Sequence, residues 1–165
     1  SIVPMLAMGN AMSTFTAQNM GAGKIDRVKE GYRMCYVIVL TAGAVLCVMY
    51  QLAGGAFVSL FLDSGSSEAY SVGLSYVKFL SFFYSFIGLK ASTDGLLRGA
   101  GDVTAFTVAN LVNLAIRVSV TNLFAPIYGI QVAWMAVPLG WAANYVISFG
   151  WYLTGKWKKV RVIKK

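Results

Sequence analysis

The chain alternates long apolar runs with short polar interruptions, and that pattern predicts helices that cross a membrane. Four runs are complete: Met34–Leu62, Tyr70–Lys90, Val103–Ala125 and Gly129–Leu153. Each reaches the roughly 20 residues that a helix needs to cross a hydrocarbon core. A soluble core is cut into shorter periodic pieces. Ile2–Ala17 is apolar but interrupted at Gly9-Asn10 and Ser13-Thr14, so residues 1–19 read as the end of a fifth, truncated helix. That stretch lacks the basic start and unbroken apolar middle of a signal peptide. Residues 20–33 read as a loop, and residues 154–165 as a basic tail. The expected fold is all-α, a polytopic transmembrane helix bundle.

Two linkers share one chemistry. Gly21-Ala22-Gly23 is followed by Asp26, and Gly99-Ala100-Gly101 by Asp102. Glycine permits the left-handed turn that ends a helix. Asp favours the start of the next one, as a cap and through the helix dipole. Phosphate binding is excluded by spacing. A dinucleotide loop needs a third glycine where Asp26 and Thr104 stand, and Gly23-Lys24 is followed by Ile25 rather than the Ser or Thr of a Walker loop. The outer connections are the polar turn Asp63–Glu68 and the corner Ala125–Gly129.

Composition agrees with a membrane protein. Hydrophobic residues make up 58% and charged residues 12%, about half the charge of a soluble domain. The net charge of +8 would suggest nucleic acid if it were spread over the surface. Instead, twelve of the fourteen basic residues fall in Lys24–Arg33, at Lys90 and Arg98, or in Lys156–Lys165. With four spans, these regions share one side. The positive-inside rule makes that side cytoplasmic, the C-terminus included, in a multi-pass protein of the inner (plasma) membrane with lipid rather than nucleic acid as its partner.

The third complete span carries the most telling polar residues. Thr107, Asn110, Asn113, Arg117 and Thr121 recur every three or four positions and so share one helical face. An arginine near mid-span is expensive against lipid. Asn110, Asn113 and Arg117 are therefore candidate residues of a polar pathway, or of an interhelical hydrogen-bonded seam. No carboxylate is expected deep within a complete span, which leaves Arg117 without an obvious partner. Lys78 is expected to snorkel outward. Gly54-Gly55 and Pro138 allow close packing or a kink. Cys35 and Cys47 lie about 18 Å apart on one helix and cannot bridge. The absence of histidine removes the commonest metal ligand and most of the usual general bases. No catalytic constellation, cofactor site or metal site is expected.

Three segments in series resemble one family. Ser13–Val28 resembles the end of the eighth helix and the following loop of multidrug and toxic compound extrusion (MATE) transporters. Asp94-Gly-Leu-Leu-Arg98-Gly-Ala-Gly101-Asp102 resembles their tenth-to-eleventh helix region, and Tyr128-Gly129-Ile130 with Trp134 and Pro138 the opening of their twelfth. The resemblance implies a partial C-lobe of a twelve-helix transporter built from two six-helix lobes around a central cavity. It implies export of cationic or amphipathic, drug-like compounds in exchange for Na⁺ or H⁺, with the N-terminal lobe of the same polypeptide as the missing partner. It carries over no coupling-ion residue. A lipid-linked saccharide flippase of related architecture and a non-transporting membrane scaffold are the competing readings.

Overall fold

The computed structural model describes residues 2–62 and 68–159. Among them six α-helices follow in order: α1 (Val3–Gly21), α2 (Ile25–Ser59), α3 (Glu68–Ser81), α4 (Tyr84–Gly99), α5 (Val103–Tyr128) and α6 (Ile130–Leu153). A 3₁₀ turn, Lys156–Lys159, follows α6. Most of the outer turn at Asp63–Glu68, and Arg161, Lys164 and Lys165 of the tail, lie outside the described residues.

The glycine linkers close as their chemistry demands. Gly23 and Gly101 have φ of +70° and +83°. The Lys24 N–H reaches back to the Asn19 carbonyl at 2.8 Å, and the Gly23 N–H to Met20 at 3.0 Å. The second linker repeats this with Asp102 to Leu97 at 2.9 Å and Gly101 to Arg98 at 3.1 Å. This paired closure satisfies carbonyls that a helix end leaves orphaned. Asp102 then caps α5, accepting from the Ala105 N–H at 3.4 Å, and also holds the Trp151 indole N–H at 2.6 Å.

The expected loop over 20–33 shrinks to three residues, because α2 begins at Ile25. The reason is periodicity within the charged stretch. Val28, Tyr32, Cys35 and Val39 are all buried, at helical spacing, while Asp26, Arg27, Glu30 and Arg33 project outward. The 35 residues of α2 extend about 52 Å, so its charged start lies beyond any ~30 Å hydrocarbon core.

The expected single helix over Tyr70–Lys90 is instead two, α3 and α4, bent by 55°. At the break the Lys78 carbonyl receives the Ser81 hydroxyl at 2.7 Å and the Gln51 amide at 2.9 Å. Side chains thus satisfy backbone that the helix no longer pairs, which is the condition for an interruption at membrane depth. Lys78 lays its stem beside Gly54. The helix also runs further than expected, to Gly99, so Lys90, Asp94 and Arg98 are helical rather than in a loop.

The centre of the bundle is α4, packed by α1, α2, α5 and α6. Small residues let backbones touch. A Cβ on Gly9 of α1 would lie 2.6 Å from the Ala91 carbonyl oxygen, and side chains on Gly95 and Gly99 would collide with the carbonyls of Gly9 and Ser13. These contacts run in the same chain order, so α1 and α4 are parallel. Val39 against Gly88 and Tyr32 against Thr93 make α2 antiparallel to α4. The basic ends of α2, α4 and α6 therefore gather at one end of the bundle. There Trp157, fully buried, stacks on Tyr152 and donates to its carbonyl at 3.1 Å, docking the start of the tail.

The outside of the bundle is apolar. Leu52 is 83% exposed and Phe61 86%, among many others. Such a surface suits lipid and not water. Three helices, α2, α5 and α6, are long and apolar enough to cross a membrane, and the bent pair α3–α4 meets the same length and composition when taken together.

Candidate functional site

The densest polar cluster surrounds Asp94, on the buried central helix. Lys90 precedes it by one turn, and its Nζ lies 3.0 Å from Asp94 Oδ2. Side-chain exposure is 15% for Lys90 and 6% for Asp94. From α5, Asn110 joins both: its Nδ2 donates to Asp94 Oδ2 at 3.2 Å and its Oδ1 accepts from Lys90 at 2.9 Å. From α6, Ser148 donates to Asp94 Oδ1 at 2.7 Å. Asn110 is itself fixed by donating to the Phe106 carbonyl at 2.8 Å. Three helices thus meet on one carboxylate. Breaking such a buried pair by removing one partner destabilises by about 3–5 kcal/mol.

The cluster opens on a recess between α1, α4 and α5, with a volume of about 270 Å³. Lys90, Asp94 and Arg98 line it from one face of α4, being spaced by four. The Arg98 guanidinium donates to Asn10 Oδ1 at 2.7 Å and to Ser13 Oγ at 3.3 Å, and it lies 5.7 Å from the centre of the Phe106 ring. Leu6, Ala91 and Gly95 complete an apolar side. The recess can therefore offer a carboxylate, two cations and an aromatic face to a ligand that is part charged and part apolar.

The MatE family model matches residues 1–137 of the chain. This chain belongs to the MatE family. Its relatives include two probable multidrug resistance proteins of Bacillus subtilis. YpnP is 28% identical over 161 residues, covering 97% of this chain and 36% of that protein. YoeA is 23% identical, covering 98% and 35%. The chain spans about one third of the length of these relatives. Among solved structures, an inward-facing multidrug resistance transporter of the MATE family, in the MOP superfamily, superposes with a TM-score of 0.81 at 16% identity. That superposition covers 99% of this chain and 36% of the other. The fold is thus a multi-span helical bundle matching part of a larger MATE-type transporter.

Within this MatE segment the α5 stripe divides. Asn110 belongs to the Asp94 cluster. Asn113 is buried at the α5–α6 contact, its Oδ1 without a hydrogen bond among the described residues. It packs on Gly140, where any Cβ would collide with that oxygen. Arg117 is exposed; its stem lies along Gly140, and it makes no ion pair among the described residues. With Thr121 and Ala136 it lines a separate cleft of about 450 Å³ between α5 and α6. Thr107 is exposed.

Asp94 lies beyond Lys90, where the sequence pattern ends the span, yet it is buried in the last turns of α4, near the level of Tyr32 on α2. Its position was hidden because the apolar run fades at Lys90, which reads as a helix end. The available signal was the spacing of Lys90, Asp94 and Arg98 by four, with small or weakly polar residues between. Ser148 and Asn144 of α6 were also missed. Both are fully buried, and Asn144 Nδ2 has no partner among the described residues. Cys35 is free and donates to Ser92 Oγ at 3.1 Å.

Proposed function

We propose that this chain is the greater part of the C-terminal lobe of a twelve-helix efflux transporter of the inner (plasma) membrane. The whole protein exports cationic or amphipathic compounds in exchange for Na⁺ or H⁺. The observation that carries this reading is the Lys90–Asp94–Asn110–Ser148 network opening on a recess inside a MatE-type bundle. Ionisable groups within spans are expensive and mark ion or substrate pathways by default. Asn110 connects the pathway to α5; Asn113, buried on the same helix, and Arg117, at a separate cleft, are further pathway candidates. The names of the relatives, multidrug resistance proteins, support export of drugs. The gathering of basic residues at one end supports a cytoplasmic location for that end and for the tail. The N-terminal lobe covers the open side of the recess, since transporters of this kind place their site between repeats that rock against each other.

The test uses the full-length protein in a bacterium stripped of its own drug pumps. Wild type lowers ethidium accumulation. Asp94→Asn, at equal membrane abundance, restores accumulation to the pump-free level. Export by Asp94→Asn at the wild-type rate would sink the reading. Residues 1–165 alone, reconstituted in liposomes, export nothing.

A further inference from the structure

We propose that Lys90 is a tethered cation that occupies the Asp94 site when no ligand is bound, and that an organic monocation enters the recess by exchange with it. The identity of the ligand rests on the efflux reading; the exchange rests on the geometry of the cluster.

The two ends of the ion pair are held very differently. Asp94 is fixed without help from Lys90. Ser148 holds Oδ1 at 2.7 Å and Asn110 holds Oδ2 at 3.2 Å, with Asn110 anchored in turn on the Phe106 carbonyl. The carboxylate therefore keeps its place if the ammonium leaves. Among the described residues the Lys90 side chain bonds only through its head, to Asp94 and Asn110. Its stem is a flexible four-carbon chain, and it borders the recess. One partner is a fixed socket and the other a movable plug.

Charge makes the movement conditional. A carboxylate that is 94% shielded cannot be left bare at low dielectric. Lys90 can leave only as another positive charge arrives, so the site is never empty. While Lys90 is seated, it and Arg98 make the recess net positive and hostile to a second cation. Arg98 is engaged away from Asp94, donating to Asn10 and Ser13 beside Phe106. A neutral molecule cannot replace the ammonium at the carboxylate, and a dication would add a second charge to a recess that still holds Arg98 and the tethered Lys90, which selects monocations. The Phe106 ring and Leu6 receive the apolar body next to the charge. Drug-sized sites run from about 300 Å³ upward, so a recess of about 270 Å³ takes the cationic end of such a molecule.

The rival is a fixed structural pair, in which Lys90 never leaves. The two differ in what a stronger internal grip does: Lys90→Arg weakens ligand binding only if the side chain at position 90 must leave Asp94. Ethidium binding to the purified full-length protein in detergent is measured by fluorescence anisotropy. Lys90→Met removes the internal competitor and keeps the stem, so ethidium binds at least 10-fold more tightly. Lys90→Met/Asp94→Asn loses that gain. Lys90→Arg grips the carboxylate with a two-pronged fork and weakens ethidium binding several-fold. Unchanged or weaker binding in Lys90→Met overturns the exchange. If Lys90→Met does not fold, Lys90→Arg decides, and wild-type affinity there overturns it. A wild type that exports no ethidium, beside a Lys90→Met that binds it tightly, sinks the efflux reading and leaves the exchange standing. Export by wild type with unaltered affinity in Lys90→Met sinks the exchange alone.

Discussion

Asp94 and Arg117 each place a formal charge well inside a helix of the same bundle, and the bundle treats them in opposite ways. Asp94 is enclosed on the central helix, with donors from α4, α5 and α6. Arg117 stands on an outer helix, its stem packed against Gly140 and its head exposed at a cleft. The first charge is tolerated because every neighbour answers it; the second because it avoids enclosure. Removing the first therefore disturbs three helices, and removing the second disturbs little of the fold.

The largest expected effect tests the enclosed charge. Asp94→Ala leaves Lys90 buried without its anion, and unfolding in mixed micelles should show a loss of about 3–5 kcal/mol. Adding Lys90→Met to form the double variant should recover part of that loss, since the unpaired ammonium is gone while Asn110 and Ser148 still lack their acceptor. A single variant as stable as wild type would mean that water reaches the pair and that the enclosure is overstated. The next effect lies between the two regions. Gly140→Ala drives a methyl group into Asn113 Oδ1 and to within 2.9 Å of Arg117 Cγ. Overpacking of this kind costs about 1–3 kcal/mol. Shortening the neighbour in Gly140→Ala/Asn113→Ala should return most of the stability.

The same contrast explains what the sequence could reveal. Arg117 stood out because Leu114, Ile116, Val118 and Val120 surround it, so a period of three to four was visible against an apolar background. The helices α5 and α6 were legible for the same reason. Around Asp94 the background is different. Ser92, Thr93, Gly95 and Gly99 are small because α1 and α2 press on α4, and small residues lower hydropathy. Close packing thus looks like a loop when only apolarity is read. The start of α2 misleads in the opposite sense, since its charges suggest a linker while Val28 and Tyr32 already face the bundle. The break between α3 and α4 had no proline or glycine to announce it. It depends on Gln51 and Ser81, and Gln51 comes from another helix.

The smallest expected effect on stability decides the most about function. Arg117→Leu removes a charge that forms no ion pair among the described residues. If the cleft between α5 and α6 is wet in the full-length transporter, the substitution acts like a surface change and shifts stability by no more than about 0.5 kcal/mol. If Arg117 faces hydrocarbon, leucine is strongly preferred there, and the variant should gain about 2.5–3.5 kcal/mol on the scale that describes insertion of arginine at a helix centre. The two placements therefore predict different stability changes. Ethidium export supplies the second axis. A pathway role requires export to fall, at equal membrane abundance, while stability stays flat. Flat stability with unchanged export would remove Arg117 from the pathway. A clear gain in stability would place the residue on the lipid face, and the pathway would then be confined to Asn110 and the Asp94 cluster.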